Sequence, residues 1–142
     1  MIIELLDKVA LRRYLLTSPS RAWKGICQHH TAIPSVADYR GLKTIEGIRR
    51  THVEVNHWRD IGYHVLFGPD GKVFAGRPLN DVGAHAGKIS LPAAVSAWPG
   101  RPNGANEDLI GFCCVGNYDV DLPSTDMVEM VGYAYEVCHE RF

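Results

Sequence analysis

The sequence has no long apolar run: none of its hydrophobic stretches approaches the ~18 residues of a membrane-spanning helix, so no such span is expected. It also lacks an excess of one charge. Fifteen Lys and Arg stand against 16 Asp and Glu, giving a formal charge of -1, and such a chain offers no basic field for nucleic acid. Its four Cys, at positions 27, 113, 114 and 138, show no C-x-x-C spacing, and neighbours such as Cys113 and Cys114 point to opposite faces of a strand. Reduced, mostly buried thiols are expected. None of the seven His sits at H-x-x-x-H spacing on a helix, so no helical zinc motif is present. Internal repeats and low-complexity segments are absent. The N-terminus, Met1-Ile-Ile-Glu-Leu-Leu-Asp-Lys8, carries acids where a signal peptide carries bases, and synthesis in the cytoplasm without a leader is expected.

The 142 residues fit one domain with a real core and are too few for two. Residues 4–16 carry Leu5, Leu6, Val9, Leu15 and Leu16 among charges, which predicts a short surface helix; with the break at 17–20 it forms an N-terminal helical extension, residues 1–20. Residues 23–31 read as a strand ending at His29 and His30, where side chains reach an open pocket. Over 42–55, Ile45, Ile48, His52 and Val55 recur at spacings of three and four, predicting an amphipathic helix with His52 facing inward. Residues 61–67 and 72–75 are predicted to pair as a hairpin around Gly68-Pro-Asp-Gly71. The stretch 86–106 is rich in Pro, Gly, Ser and Ala and reads as a long loop. Residues 109–115 form a near-continuous apolar run, as in a strand buried on both faces. After Pro123, Ser124, Thr125 or Asp126 can cap a last helix, with a capping box available to Asp126 and Glu129 and a buried stripe of Met127, Val131, Ala134 and Cys138.

Strand alternation sorts the polar residues. Only one of His29 and His30 can face a given side of a sheet, and Tyr63 and His64 are separated in the same way. His64, if it faces the opposite layer from Tyr63, is expected to be a core histidine hydrogen-bonded to backbone, and a similar structural reading applies to His52. Imidazole is the commonest protein ligand for zinc, and a catalytic site needs three protein ligands with a fourth position open.

Five segments in this order, Gln28-His-His-Thr-Ala32, Trp58-Arg-Asp-Ile-Gly-Tyr-His64, Asp70-Gly-Lys-Val-Phe-Ala-Gly-Arg77, Gly83-Ala-His-Ala86 and Ile110-Gly-Phe-Cys-Cys-Val-Gly-Asn-Tyr118, carry a resemblance. Over residues 24–138 the chain resembles the zinc-dependent N-acetylmuramoyl-L-alanine amidases of the phage-lysozyme and peptidoglycan-recognition-protein type. The resemblance implies an α/β fold, a central mixed β-sheet flanked by helices, in a single domain. It implies a zinc ion in a groove, with His29 as its first ligand, Tyr63 as the catalytic tyrosine, and His85 and Asn106 at the substrate. The implied reaction is hydrolysis of the amide between the lactyl group of N-acetylmuramic acid and L-Ala of the peptidoglycan stem peptide by zinc-activated water. A phenol such as Tyr63 can hydrogen-bond the developing oxyanion without carrying charge. His85 has a second reading, as a loop residue pinning the turn after Gly83.

The resemblance is incomplete in two places. The family's remaining zinc ligands, a second His and then a Cys or Asp, follow the last helix, and this sequence contains neither segment; His139 falls within the predicted helix. Two explanations stand: a fragment missing the family's C-terminal segment, or a non-catalytic module that binds muropeptide without metal. The stretch 87–105 is also longer than the family's usual turn, and its Trp98 either walls the groove against a sugar face or plugs the loop onto the domain. Action on the cell wall would need an exit route such as phage-like release, an expectation by analogy alone.

Overall fold

The computed structural model describes residues 1–86 and 104–142. Five short strands form one mixed sheet: β1 (Ile3–Leu5), β2 (Gly25–His30), β3 (Val65–Phe67), β4 (Val73–Ala75) and β5 (Leu109–Cys114), in the order β1-β4-β3-β5-β2. The β1/β4 and β3/β4 pairs are antiparallel, and β5 runs parallel to both β3 and β2. Helices α1 (Lys8–Thr17), α2 (Leu42–Arg50) and α4 (Thr125–Arg141) cover it, and a four-residue turn, α3 (Ala105–Asp108), leads into β5. The expected mixed α/β architecture is present.

Period-two alternation divides the core between the two sheet faces. Val65, Phe67, Val73, Ala75, Ile110 and Phe112 point to one face and pack with Leu11 and Leu15 of α1 and Met127, Ala134, Val137 and Cys138 of α4. Leu66, Phe74 and Cys113 point to the other and pack with Ile45 and Ile48 of α2, together with Ile61 and Val115. The predicted apolar run thus becomes an interior strand buried on both faces, and Cys113 and Cys114 diverge as expected. All four cysteines are free thiols.

Four details differ from the sequence expectations. The first helix starts at Lys8, not at residue 4, because Ile3–Leu5 pair with β4 and Asp7 caps α1 by accepting from the Ala10 N–H at 2.7 Å. Leu6 and Val9 are consequently exposed, while Leu11 and Leu15 are buried completely. The strand predicted over 61–67 is a strand only from Val65, since the Gly62 N–H donates to His52 Nδ1 and the Gly62 carbonyl accepts from Ala84. The helix through 55 widens to a π-helical turn over Thr51–Val55, which leaves His52 half-buried and turns Val55 out to solvent. Finally, Ser124 alone caps α4, accepting from Met127 N–H, and Glu129 pairs instead with Lys8 of α1.

The hairpin forms as predicted. Gly71, at φ 77°, donates its N–H to the Gly68 carbonyl at 3.0 Å, a backbone conformation that glycine adopts without steric cost.

Candidate functional site

The site grows from the register of two parallel strands. Cys27 lies beside Gly111 and His29 beside Cys113, so Cys27 and His29, two residues apart, share the α2 face with both. Gly111 has no side chain there, and the space above it is filled by the His85 ring: a Cβ at position 111 would sit 2.3 Å from His85 Cδ2. On the far side of β5 the imidazole of His64 is fully buried. Its Nδ1 accepts from the Gly111 N–H at 2.9 Å and its Nε2 bonds the Asp81 carbonyl at 3.0 Å, with Trp23 edge-on at 4.9 Å. Burial lowers its pKa to about 4. His64 is therefore a neutral, structural histidine, as expected.

His85 is held from both ends. Asn106 Oδ1 accepts from the backbone N–H groups of His85 and Ala86 at 2.8 and 2.9 Å, and the Asn106 carbonyl accepts from Gly83. The ring Nε2 lies 3.1 Å from the Leu109 carbonyl, and Nδ1 lies 3.0 Å from His29 Nε2. A carbonyl can only accept, so Nε2 of His85 carries the proton and its Nδ1 presents a lone pair. His29 Nε2–H then donates to that lone pair. Burial, reinforced by His64, lowers the pKa of His85 to about 4, and burial lowers that of His29 as well. Both rings are neutral at physiological pH.

Tyr63 borders the pair, its ring centroid 5.6 Å from that of His29 and 5.8 Å from that of His52. Burial, with Cys113 beside it, raises the phenol well above its ordinary pKa, so Tyr63 keeps its proton and can serve as a hydrogen-bond donor. His52 packs against Trp58 in a tilted pair, ring centroids 4.6 Å apart, and its Nδ1 accepts from the Gly62 N–H. His30 lies on the opposite face of β2, where its Nδ1 accepts from the Tyr118 N–H at 3.1 Å.

The structure thus brings His29, Tyr63 and His85 together, sets the neutral His64 behind His85 with ring centroids 5.9 Å apart, and leaves His30 and His139 out. Asn106 meets the site through the backbone it clamps. Trp98 and most of the long loop, residues 87–103, lie outside the described residues. Cys27 was not singled out from sequence, yet Cys27 Sγ, His29 and His85 hold their donor atoms within 4.8 Å of one another. The signal was available as a Cys-x-His spacing on a strand. A thiolate and two imidazoles suit zinc and leave room for a fourth ligand, so the donor chemistry fits that ion. Among the described residues no helix is long and apolar enough to cross a membrane.

Comparison with known proteins bears on the family and the fold. The family profile described as N-acetylmuramoyl-L-alanine amidase matches residues 19–140. Peptidoglycan-recognition protein SC1a of Drosophila melanogaster is 32% identical over 102 residues, covering 70% of this chain and 46% of that protein. An N-acetylmuramoyl-L-alanine amidase of Mus musculus is 30% identical over 122 residues, covering 80% of this chain and 19% of its own length. The chain therefore spans less than half of these relatives. In fold it is similar to the endolysin N-acetylmuramoyl-L-alanine amidase LysCS of Clostridium intestinale, with TM-score 0.62, 23% identity, and coverage of 89% of this chain and 64% of the other. The relatives include both enzymes and recognition proteins. With 122 of its 142 residues inside the family profile, the chain belongs to the N-acetylmuramoyl-L-alanine amidase family.

Proposed function

We propose that this chain is the amidase unit of a zinc-dependent peptidoglycan hydrolase, cleaving the amide between the lactyl group of N-acetylmuramic acid and L-Ala of the stem peptide at the cell wall. The observation that carries this reading is the convergence of His29, Tyr63 and His85, from three separate segments, on one face of the sheet. His29 would hold a zinc ion, which when bound would supply Lewis-acid chemistry to the amide. The chain's own contribution is orientation and proton placement. Tyr63 donates its phenolic proton in a hydrogen bond to the oxygen on which negative charge develops, and stays neutral in doing so. His85 and the Asn106-clamped loop form the adjoining wall, against which the stem peptide lies.

One observation favours a second reading. The His29 and His85 rings already satisfy each other through a 3.0 Å hydrogen bond, an arrangement that serves a metal-free muropeptide receptor equally well. The two readings separate on one assay. The chain is incubated with a MurNAc-tripeptide, with zinc and with a chelator, and the newly freed L-Ala amino terminus is quantified by mass spectrometry. Zinc-dependent release is expected. Binding of the muropeptide without release in either condition would select the receptor.

A further inference from the structure

We propose that Cys27, His29 and His85 together form a three-ligand site for zinc or a chemically similar divalent ion, with the Cys27 thiolate as one ligand. The proposal rests on the zinc dependence in the reading above and not on the bond cleaved. It differs from what the resemblance implies, which draws only His29 from the described residues and places the other ligands after the last helix.

Four features converge on it. Cys27 and His29 project from the same face of β2, the edge strand of the sheet, and both are only half-buried, so an ion can reach them. The third donor is aimed by its surroundings: the Leu109 carbonyl fixes the proton of His85 on Nε2 and leaves Nδ1 as a lone pair directed at His29. A backbone carbonyl on the distal ring nitrogen is the outer partner that metal-bound histidines commonly have. Asn106 locks the backbone beneath that ring by two hydrogen bonds, and Gly111 provides the space in which it lies.

The distances are compatible with closure on an ion. Zinc bond lengths place tetrahedral donors roughly 3.3 to 3.6 Å apart, and the three donors here lie within 4.8 Å of one another, the two imidazole nitrogens at 3.0 Å. The rings need to separate by a few tenths of an ångström, and the Cys27 side chain moves in by a rotation about its χ1. The ion takes the place of the proton that His29 Nε2 shares with His85; that proton shifts to His29 Nδ1, and the Cys27 thiol proton leaves to solvent. Three protein ligands would leave a fourth position open.

Cobalt(II) added to the metal-free full chain tests the site. One equivalent is expected to bind, with the strong visible absorption of tetrahedral cobalt and a near-ultraviolet thiolate-to-cobalt charge-transfer band. Cys27→Ser is expected to abolish the charge-transfer band and weaken binding at least about tenfold, the lower bound for losing even an outer-shell partner. His85→Gln should weaken binding comparably, and Cys114→Ser should change neither spectrum nor affinity. Circular dichroism of each variant separates loss of the site from loss of the fold. Cobalt binding that depends on His29 but persists with an unchanged spectrum in Cys27→Ser would overturn this ligand set and leave the zinc reading intact. A complete thiolate-ligated site in a chain that releases no stem peptide would do the reverse, upholding the site and removing the hydrolase.

Discussion

Asn106 and Tyr63 illustrate how differently two polar residues serve one pocket. Asn106 acts through an acceptor: its Oδ1 satisfies two backbone N–H groups of the loop bearing His85. Asn106→Ala leaves those donors without their partner, and an unsatisfied buried donor costs about 1–3 kcal/mol; Asn106→Asp keeps the acceptor. Denaturant titration should therefore show Ala destabilised and Asp restored to near the parent value. Tyr63 acts through a donor. Tyr63→Phe keeps the ring packed between His29 and His52 and removes only the hydroxyl, so the fold and muropeptide affinity should persist while turnover falls about 100-fold or more, as for loss of one oxyanion donor. Full turnover in the variant would remove Tyr63 from the reaction. At this scale the sequence was informative about His29, Tyr63 and His85, whose segments carry the family resemblance and which the structure gathers on one face, and about His64, which is a buried histidine hydrogen-bonded to backbone. Cys27 escaped because a lone cysteine in an apolar strand reads as packing; its partners lie 58 and 84 residues away, at His85 and Gly111, and no local pattern joins them.

At the scale of elements, the site depends on one register. The parallel pairing of β2 with β5 puts Gly111 against Cys27 and Cys113 against His29, and a shift by one residue would bring Ile110 or Phe112 to the site face and close the pocket. Gly111→Ala tests that dependence without altering the strand. The added methyl meets the His85 ring at 2.3 to 2.6 Å, too close for the ring to remain over β5. Overpacking of this kind costs about 1–3 kcal/mol, and it should separate His85 from the Leu109 carbonyl, so cobalt affinity should fall together with the midpoint of unfolding. Unchanged affinity would mean that His85 is not where the ion binds. The interior strand and the hairpin were legible because their signals are local: a run of apolar residues, and a Gly-Pro-Asp-Gly turn. β1 was not, because three residues with Ile3 half-exposed carry no alternation long enough to read, and what makes them a strand is β4, about 70 residues downstream. The π-helical turn was hidden for a similar reason, since His52 is drawn out of helical spacing by the Gly62 N–H.

In the whole molecule, the N-terminal segment belongs to the core although it precedes the family match, which begins at residue 19. β1 pairs with the outer edge of β4, and Leu5, Leu11 and Leu15 are buried against the sheet and α4. Arg12 adds a two-pronged ion pair to Glu140 at 2.8 and 2.7 Å, but its exposure makes that contribution small beside the leucines. Burying a leucine side chain is worth about 1.5–3 kcal/mol, so the three together supply on the order of 5 to 9 kcal/mol, much of the 5–15 kcal/mol by which a domain is ordinarily stable. Removal also leaves β4 with an unpaired edge and one flank of α4 facing water. A chain beginning at residue 19 should therefore lack a cooperative unfolding transition and be cleaved rapidly by protease, even though it retains every residue of the candidate site. Limited proteolysis and thermal melting of the shortened chain beside the full one decide the point: a shortened chain that melts at the parent temperature would mean that the family region is self-sufficient and that β1 and α1 are an appendage.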